Sequence, residues 1–88
     1  MRDLAEVVKI SYVREYVYHV VFDDGLSGEL DFVEYLDRGP MFLPLRAPEF
    51  FRAATVRGGT IAWPNGLDLA PESLHRKLAA SPSNLNVE

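Results

Sequence analysis

Apolar residues recur at every second position through the first third of the chain and at helical spacing near its end. In Val7-Val8-Lys9-Ile10-Ser11-Tyr12-Val13, the residues Val8, Ile10 and Tyr12 alternate onto one face, and the β-branched content predicts a strand. Arg14-Glu15 is a short polar break. Tyr16-Val17-Tyr18-His19-Val20-Val21-Phe22 follows, with Tyr16, Tyr18, Val20 and Phe22 on one face and Val17, His19 and Val21 on the other. Both faces are apolar, as a central strand requires. Asp23-Asp24-Gly25 then reads as a tight turn, because Asp-Gly between two alternating runs favours a hairpin. In Leu26-Ser27-Gly28-Glu29-Leu30-Asp31-Phe32 the residues Leu26, Leu30 and Phe32 face inward and Ser27, Glu29 and Asp31 face water. The expectation is a three-stranded antiparallel meander.

The period changes after Phe32. Phe32 to Leu36 carries apolar residues at helical spacing with Asp31 as N-cap, and Arg38-Gly39-Pro40 limits it to a turn or two. Met41-Phe42-Leu43-Pro44-Leu45 reads as an irregular apolar connection covering a sheet edge, and Pro48 opens a short helical turn through Arg52. Ala54 to Arg57 and Thr60 to Trp63 flank Gly58-Gly59 as a second hairpin. Pro64-Asn65-Gly66 turns the chain sharply, and Pro71 starts a final helix spanning Ala70 to Leu78, with Leu74 and Leu78 one turn apart. The fold class expected is therefore α+β: a meander plus a second hairpin, short helical turns and a C-terminal helix. Residues 1–80 form one domain, and 81–88, rich in Ser, Asn and Pro, read as a flexible tail.

The features from Phe22-Asp23-Asp24-Gly25 through Leu30-Asp31-Phe32 and Pro48-Glu49-Phe50-Phe51 to Thr60-Ile61-Ala62-Trp63-Pro64-Asn65-Gly66-Leu67-Asp68-Leu69-Ala70-Pro71 keep a specific order. This order resembles a family of small bacterial domains of unknown function, numbered 2442, over roughly Val7 to Leu78. The resemblance implies a compact α+β domain. It also implies genetic pairing with another small protein, as in a toxin–antitoxin pair. Some members of that family add a helix-turn-helix segment, for which this chain leaves no room after its last helix. The resemblance supplies no catalytic residues.

Composition narrows the remaining choices. The chain has 88 residues, 48% of them apolar, and a net charge of −4, which is the wrong sign for general phosphate-backbone binding. It has no cysteine, which excludes disulfides and thiolate metal sites and fits a reducing cytoplasm. No apolar run reaches the ~18 residues of a membrane span. His19 and His75 read as structural, Asp23, Asp24, Glu29, Asp31 and Glu34 as turn, surface and cap residues, and Gly58-Gly59 as a turn lacking the lysine of a phosphate loop. No nucleophile elbow is present. The reading is a non-enzyme with no metal and no cofactor.

The candidate partner surface comprises Met41, Phe42 and Leu43 with Trp63, Asn65 and Asp68 from the turn. Trp63 is expected in the core, with an interface hot spot as the alternative. Asp68 is expected to accept backbone N–H bonds locally, with contact to a partner's basic group as the alternative. The expected partner is another small, basic protein, or a second copy of this chain. The other classes are a DNA-associated regulator, needing a patch of Arg46, Arg52, Arg57, Arg76 and Lys77, and a small-ligand domain, needing Asp68, His75 or His19 to converge.

Overall fold

The computed structural model describes residues 5–80, so the segment expected to be a flexible tail lies outside the described residues. Strands β1 (Val7–Arg14), β2 (Val17–Phe22) and β3 (Ser27–Asp31) form an antiparallel sheet with β2 in the centre, as the alternation predicts. Tyr18, Val20 and Phe22 of β2 are buried on its inner face, and Leu30 of β3 joins them. The turn between β2 and β3 places Gly25 at φ 96°, where glycine carries no Cβ penalty. The Asp24 carboxylate accepts the Leu26 N–H at 3.0 Å and closes it.

Strand β1 departs from the expected alternation. A bulge between Val7 and Lys9 puts Val7 opposite Phe22 and buries it, while Val8 is turned outward and 54% exposed. An extra residue in one strand inverts the side-chain parity beyond it, so the inward set is Val7, Ile10 and Tyr12 rather than Val8, Ile10 and Tyr12. A second irregularity between Tyr12 and Arg14 leads into Glu15, a non-glycine residue at φ 43° whose carbonyl accepts the Tyr12 hydroxyl at 3.0 Å.

Two 3-10 helices follow, Val33–Tyr35 and Pro40–Arg46. The N-cap of the first one is Phe32 rather than the expected Asp31, which sits one residue earlier and accepts the Val33 N–H at 2.9 Å, closing a local turn at the helix entry. The second corrects the reading of Met41 to Leu45 as irregular. With three residues per turn, Phe42 and Leu45 align on the core side, while Met41 and Leu43 point out. The Phe42 ring stacks on Tyr35, 6.2 Å between centroids, which fastens the two 3-10 helices together.

Helix α1 (Pro48–Phe51) is a single turn opened by its proline. Strands β4 (Thr55–Arg57) and β5 (Thr60–Ala62) form the second hairpin, with Gly58 at φ 56° and Gly59 at φ 82°, both in the left-handed region a two-residue turn of this kind demands. The hairpin is a separate two-stranded sheet docked on the start of β1, where the Val7 N–H donates to the Gly59 carbonyl at 2.9 Å. Helix α2 (Pro71–Ala80) buries Leu74 and Leu78 and leaves its remaining positions partly or fully exposed. The core is one cluster of Val7, Tyr18, Val20, Phe22, Phe32, Leu45, Phe51, Ile61, Trp63, Leu74, Leu78 and their neighbours. The resulting architecture is the expected α+β meander plus hairpin with a C-terminal helix.

Candidate functional site

The Trp63 turn holds together the parts of the chain that the sequence singles out. β-Branched and apolar residues carry β5 into Trp63, and Pro64 ends the strand by removing a donor. The chain reverses through Gly66, at φ 89°, and the Trp63 N–H donates back to the Leu67 carbonyl at 2.8 Å. Asn65 works on both sides of this reversal. Its side-chain oxygen accepts the Leu67 N–H at 3.1 Å, and its side-chain NH2 donates to the Met41 carbonyl at 3.2 Å. The Thr60 hydroxyl closes the base of the loop on the Leu69 carbonyl. The second 3-10 helix is thereby pinned to the turn.

Trp63 itself is core, only 1% exposed, so the hot-spot alternative falls. Its indole N–H donates to the Phe51 carbonyl at 2.9 Å, and the Tyr18 hydroxyl donates to the same oxygen at 2.7 Å. Phe51 ends the one-turn helix α1, so this carbonyl has no partner within its own helix. Two donors, one from β2 and one from the turn after β5, satisfy it instead. Burial pushes the Tyr18 phenol above its ordinary range, its largest influence.

Asp68 does not do the local work expected of it. It is exposed, and among the described residues no hydrogen bond or ion pair reaches its carboxylate. The capping role belongs to Asn65, whose neutral amide can both accept and donate. Asp68 and Arg57 line a shallow cleft of about 400 Å³ whose floor includes Trp63, with Gly58 and Gly66 at its sides. Beside the turn, Met41 and Leu43 stand out as a ridge, 47% and 53% exposed, while Phe42 is turned inward. Of the candidate residues, the structure therefore brings Met41 and Asn65 into contact, leaves Leu43 and Asp68 outward, and withdraws Phe42 and Trp63.

Several of the remaining ionisable residues are engaged in pairs. His75 on α2 meets Asp24 of the β2–β3 turn at 2.7 Å, with its ring set edge-on against Phe22. The Asp24 carboxyl lies below its ordinary range, first because it accepts the Leu26 N–H and then because it bonds His75. Lys77 bonds Glu34 and lowers that carboxyl, with Arg38 adding a smaller attraction, and both cations lie over the Tyr35 ring. These two ties of α2 to β-turn and 3-10 helix span 51 and 43 residues, which is why no local pattern announces them.

Of the cations named for a nucleic-acid patch, Arg46 pairs with Asp37, Arg52 lies over the Tyr12 ring and Lys77 pairs with Glu34. His75 is occupied by Asp24, and Asp68 shares its cleft with no histidine. Among the described residues no group of three His, Asp or Glu side chains is arranged to hold a metal ion. No described helix is long and apolar enough to cross a membrane. A second groove of about 290 Å³ lies between Tyr12, Glu15, Tyr16, Pro48 and Arg52.

These elements define a small α+β domain organised around one tryptophan turn. The chain belongs to the family described as Protein of unknown function (DUF2442), whose model matches residues 7–80. No curated protein and no solved structure matches it.

Proposed function

We propose that this protein is a cytoplasmic protein-interaction module, the antitoxin-like or regulatory half of a two-protein pair. One observation carries the proposal: the ridge of Met41 and Leu43 is held outward by a 3-10 helix that Asn65 fastens to the Trp63 turn. A solvent-facing apolar side chain on a pinned element loses little conformational freedom when a partner covers it, so it is suited to contact. The exposed carboxylate of Asp68, on the same turn as Asn65, adds a recognition point for a cation. The net charge of −4 favours a basic partner through long-range attraction. The family membership adds no assigned activity. The DNA-associated regulator is supported less well, because Arg46 and Lys77 are already paired with acids.

Co-purification from the native host tests the proposal, with bound protein and nucleic acid both identified. A single small basic protein, recovered in stoichiometric amount and lost with Leu43→Glu, supports it. Recovery of nucleic acid released by moderate salt contradicts it, because phosphate contacts are salt-sensitive. Retention of the protein partner by Leu43→Glu refutes the placement of the surface.

A further inference from the structure

The outer face of the three-stranded sheet, turned away from the core, has a self-complementary pattern. Strand register sets three rows across it: Lys9–Val21–Ser27, Ser11–His19–Glu29 and Arg14–Val17–Asp31. The two irregularities in β1 add Val8 and Val13 to this side, both exposed. Val17 is buried yet lies outside the core cluster, and the Arg14–Glu29 ion pair, 3.3 Å, reaches across β2 beside it. Cations therefore occur only on the β1 flank (Lys9, Arg14) and acids only on the β3 flank (Glu29, Asp31). Val17, His19 and Val21 run down the middle.

We propose that this face is a two-fold interface with a second copy of the chain, its axis parallel to β2 and passing over His19. Rotation about that axis exchanges the flanks, so β1 of each copy lies over β3 of the other. Arg14 then faces Asp31 across the interface, Ser11 faces Glu29, and the half-buried His19 and Val21 meet their own counterparts, while Val17 lies beneath the contact. An axis in the same plane but perpendicular to the strands would set β1 over β1 and cations over cations. Between these two axes, charge thus selects the one parallel to β2. The reading is independent of the partner ridge at Met41 and Leu43, which lies on a different element.

Three strands about 4.8 Å apart and five residues long give a footprint of roughly 14 by 17 Å. That is below the area of a permanent dimer, so the association is weak and reversible. Sedimentation equilibrium of the full chain, from micromolar to millimolar concentration, tests it. Ser11 is exposed, so its variants keep the fold, which circular dichroism verifies. Ser11→Lys places a cation opposite the second copy's Glu29 and should tighten the dimer several-fold. Ser11→Glu should weaken it several-fold, and Val21→Glu should abolish it. A chain that stays monomeric at millimolar concentration overturns the proposal. So does a shift in the same direction for Ser11→Lys and Ser11→Glu, or a dimer broken by Leu43→Glu and untouched by Val21→Glu.

Discussion

The indole N–H of Trp63 and the carbonyl of Phe51 are 2.9 Å apart, and this bond joins the end of helix α1 to the turn that follows β5. The Tyr18 hydroxyl donates to the same carbonyl, so one backbone oxygen links the three-stranded sheet, the short helix and the second hairpin. Helix α1 is a single turn and too short to be stable alone, so these bonds and the burial of Phe51 hold it in place.

Removing the donors should rank accordingly. Trp63→Phe loses the indole N–H and leaves unfilled volume, and we expect a loss of about 2–3 kcal/mol in unfolding free energy by urea denaturation. Tyr18→Phe keeps the ring and its edge-to-face contacts and should lose about 1 kcal/mol. The reverse order would mean that Tyr18 is the main anchor.

The Trp63 turn should be sensitive to backbone and side chain separately. A Cβ at Gly66 meets nothing within 4 Å, so Gly66→Ala costs only the strain of φ 89°, about 1–2 kcal/mol. Asn65→Ala removes the bonds to Leu67 and Met41 and should cost a similar amount. Asn65→Asp keeps the acceptor for Leu67 and loses the donor to Met41. It should retain most of the stability while loosening the second 3-10 helix, seen as faster amide exchange at Phe42.

The bulge in β1 makes a simple test of register. Val7→Ala should destabilise by about 1–2 kcal/mol, whereas Val8→Ala should stay within about 0.5 kcal/mol. Equal losses would place both valines in the core.

Acid should weaken the attachment of α2. Asp24 and Glu34 both have carboxyl groups held below their ordinary values, 3.8 and 4.5, by bonds made only in the folded state. A depressed carboxyl stabilises the fold fully above its unfolded value, and the benefit is lost as pH falls through the lower folded value. Thermal melts should therefore decline from about pH 4.5 downward, and Asp24→Asn or Glu34→Gln should flatten that decline.

Much of this architecture is legible in local pattern. The alternation of Tyr18, Val20 and Phe22, the Asp24-Gly25 and Gly58-Gly59 turns and the proline at position 71 each act within a few residues, so they place strands, hairpins and helix. The Val7-Val8 doublet fits either strand parity, and only the pairing with Phe22 decides between them. The Pro40–Arg46 helix hides because its prolines suggest coil and its period of three matches neither strand nor α-helix. At the candidate site, Trp63 and Asn65 announce themselves by type. The exchange of roles between Asn65 and Asp68, and the pairing of His75 with Asp24, depend on packing that brings distant segments together.

The central claim is that the Met41–Leu43 ridge is a contact surface for another protein. Site-specific photocrosslinking in the native host, with the reactive group at Leu43 and a control at exposed Glu72, tests it directly. The account predicts one small basic protein crosslinked from position 43 and not from 72. Crosslinks to nucleic acid, to this chain alone, or to nothing from position 43 would contradict it.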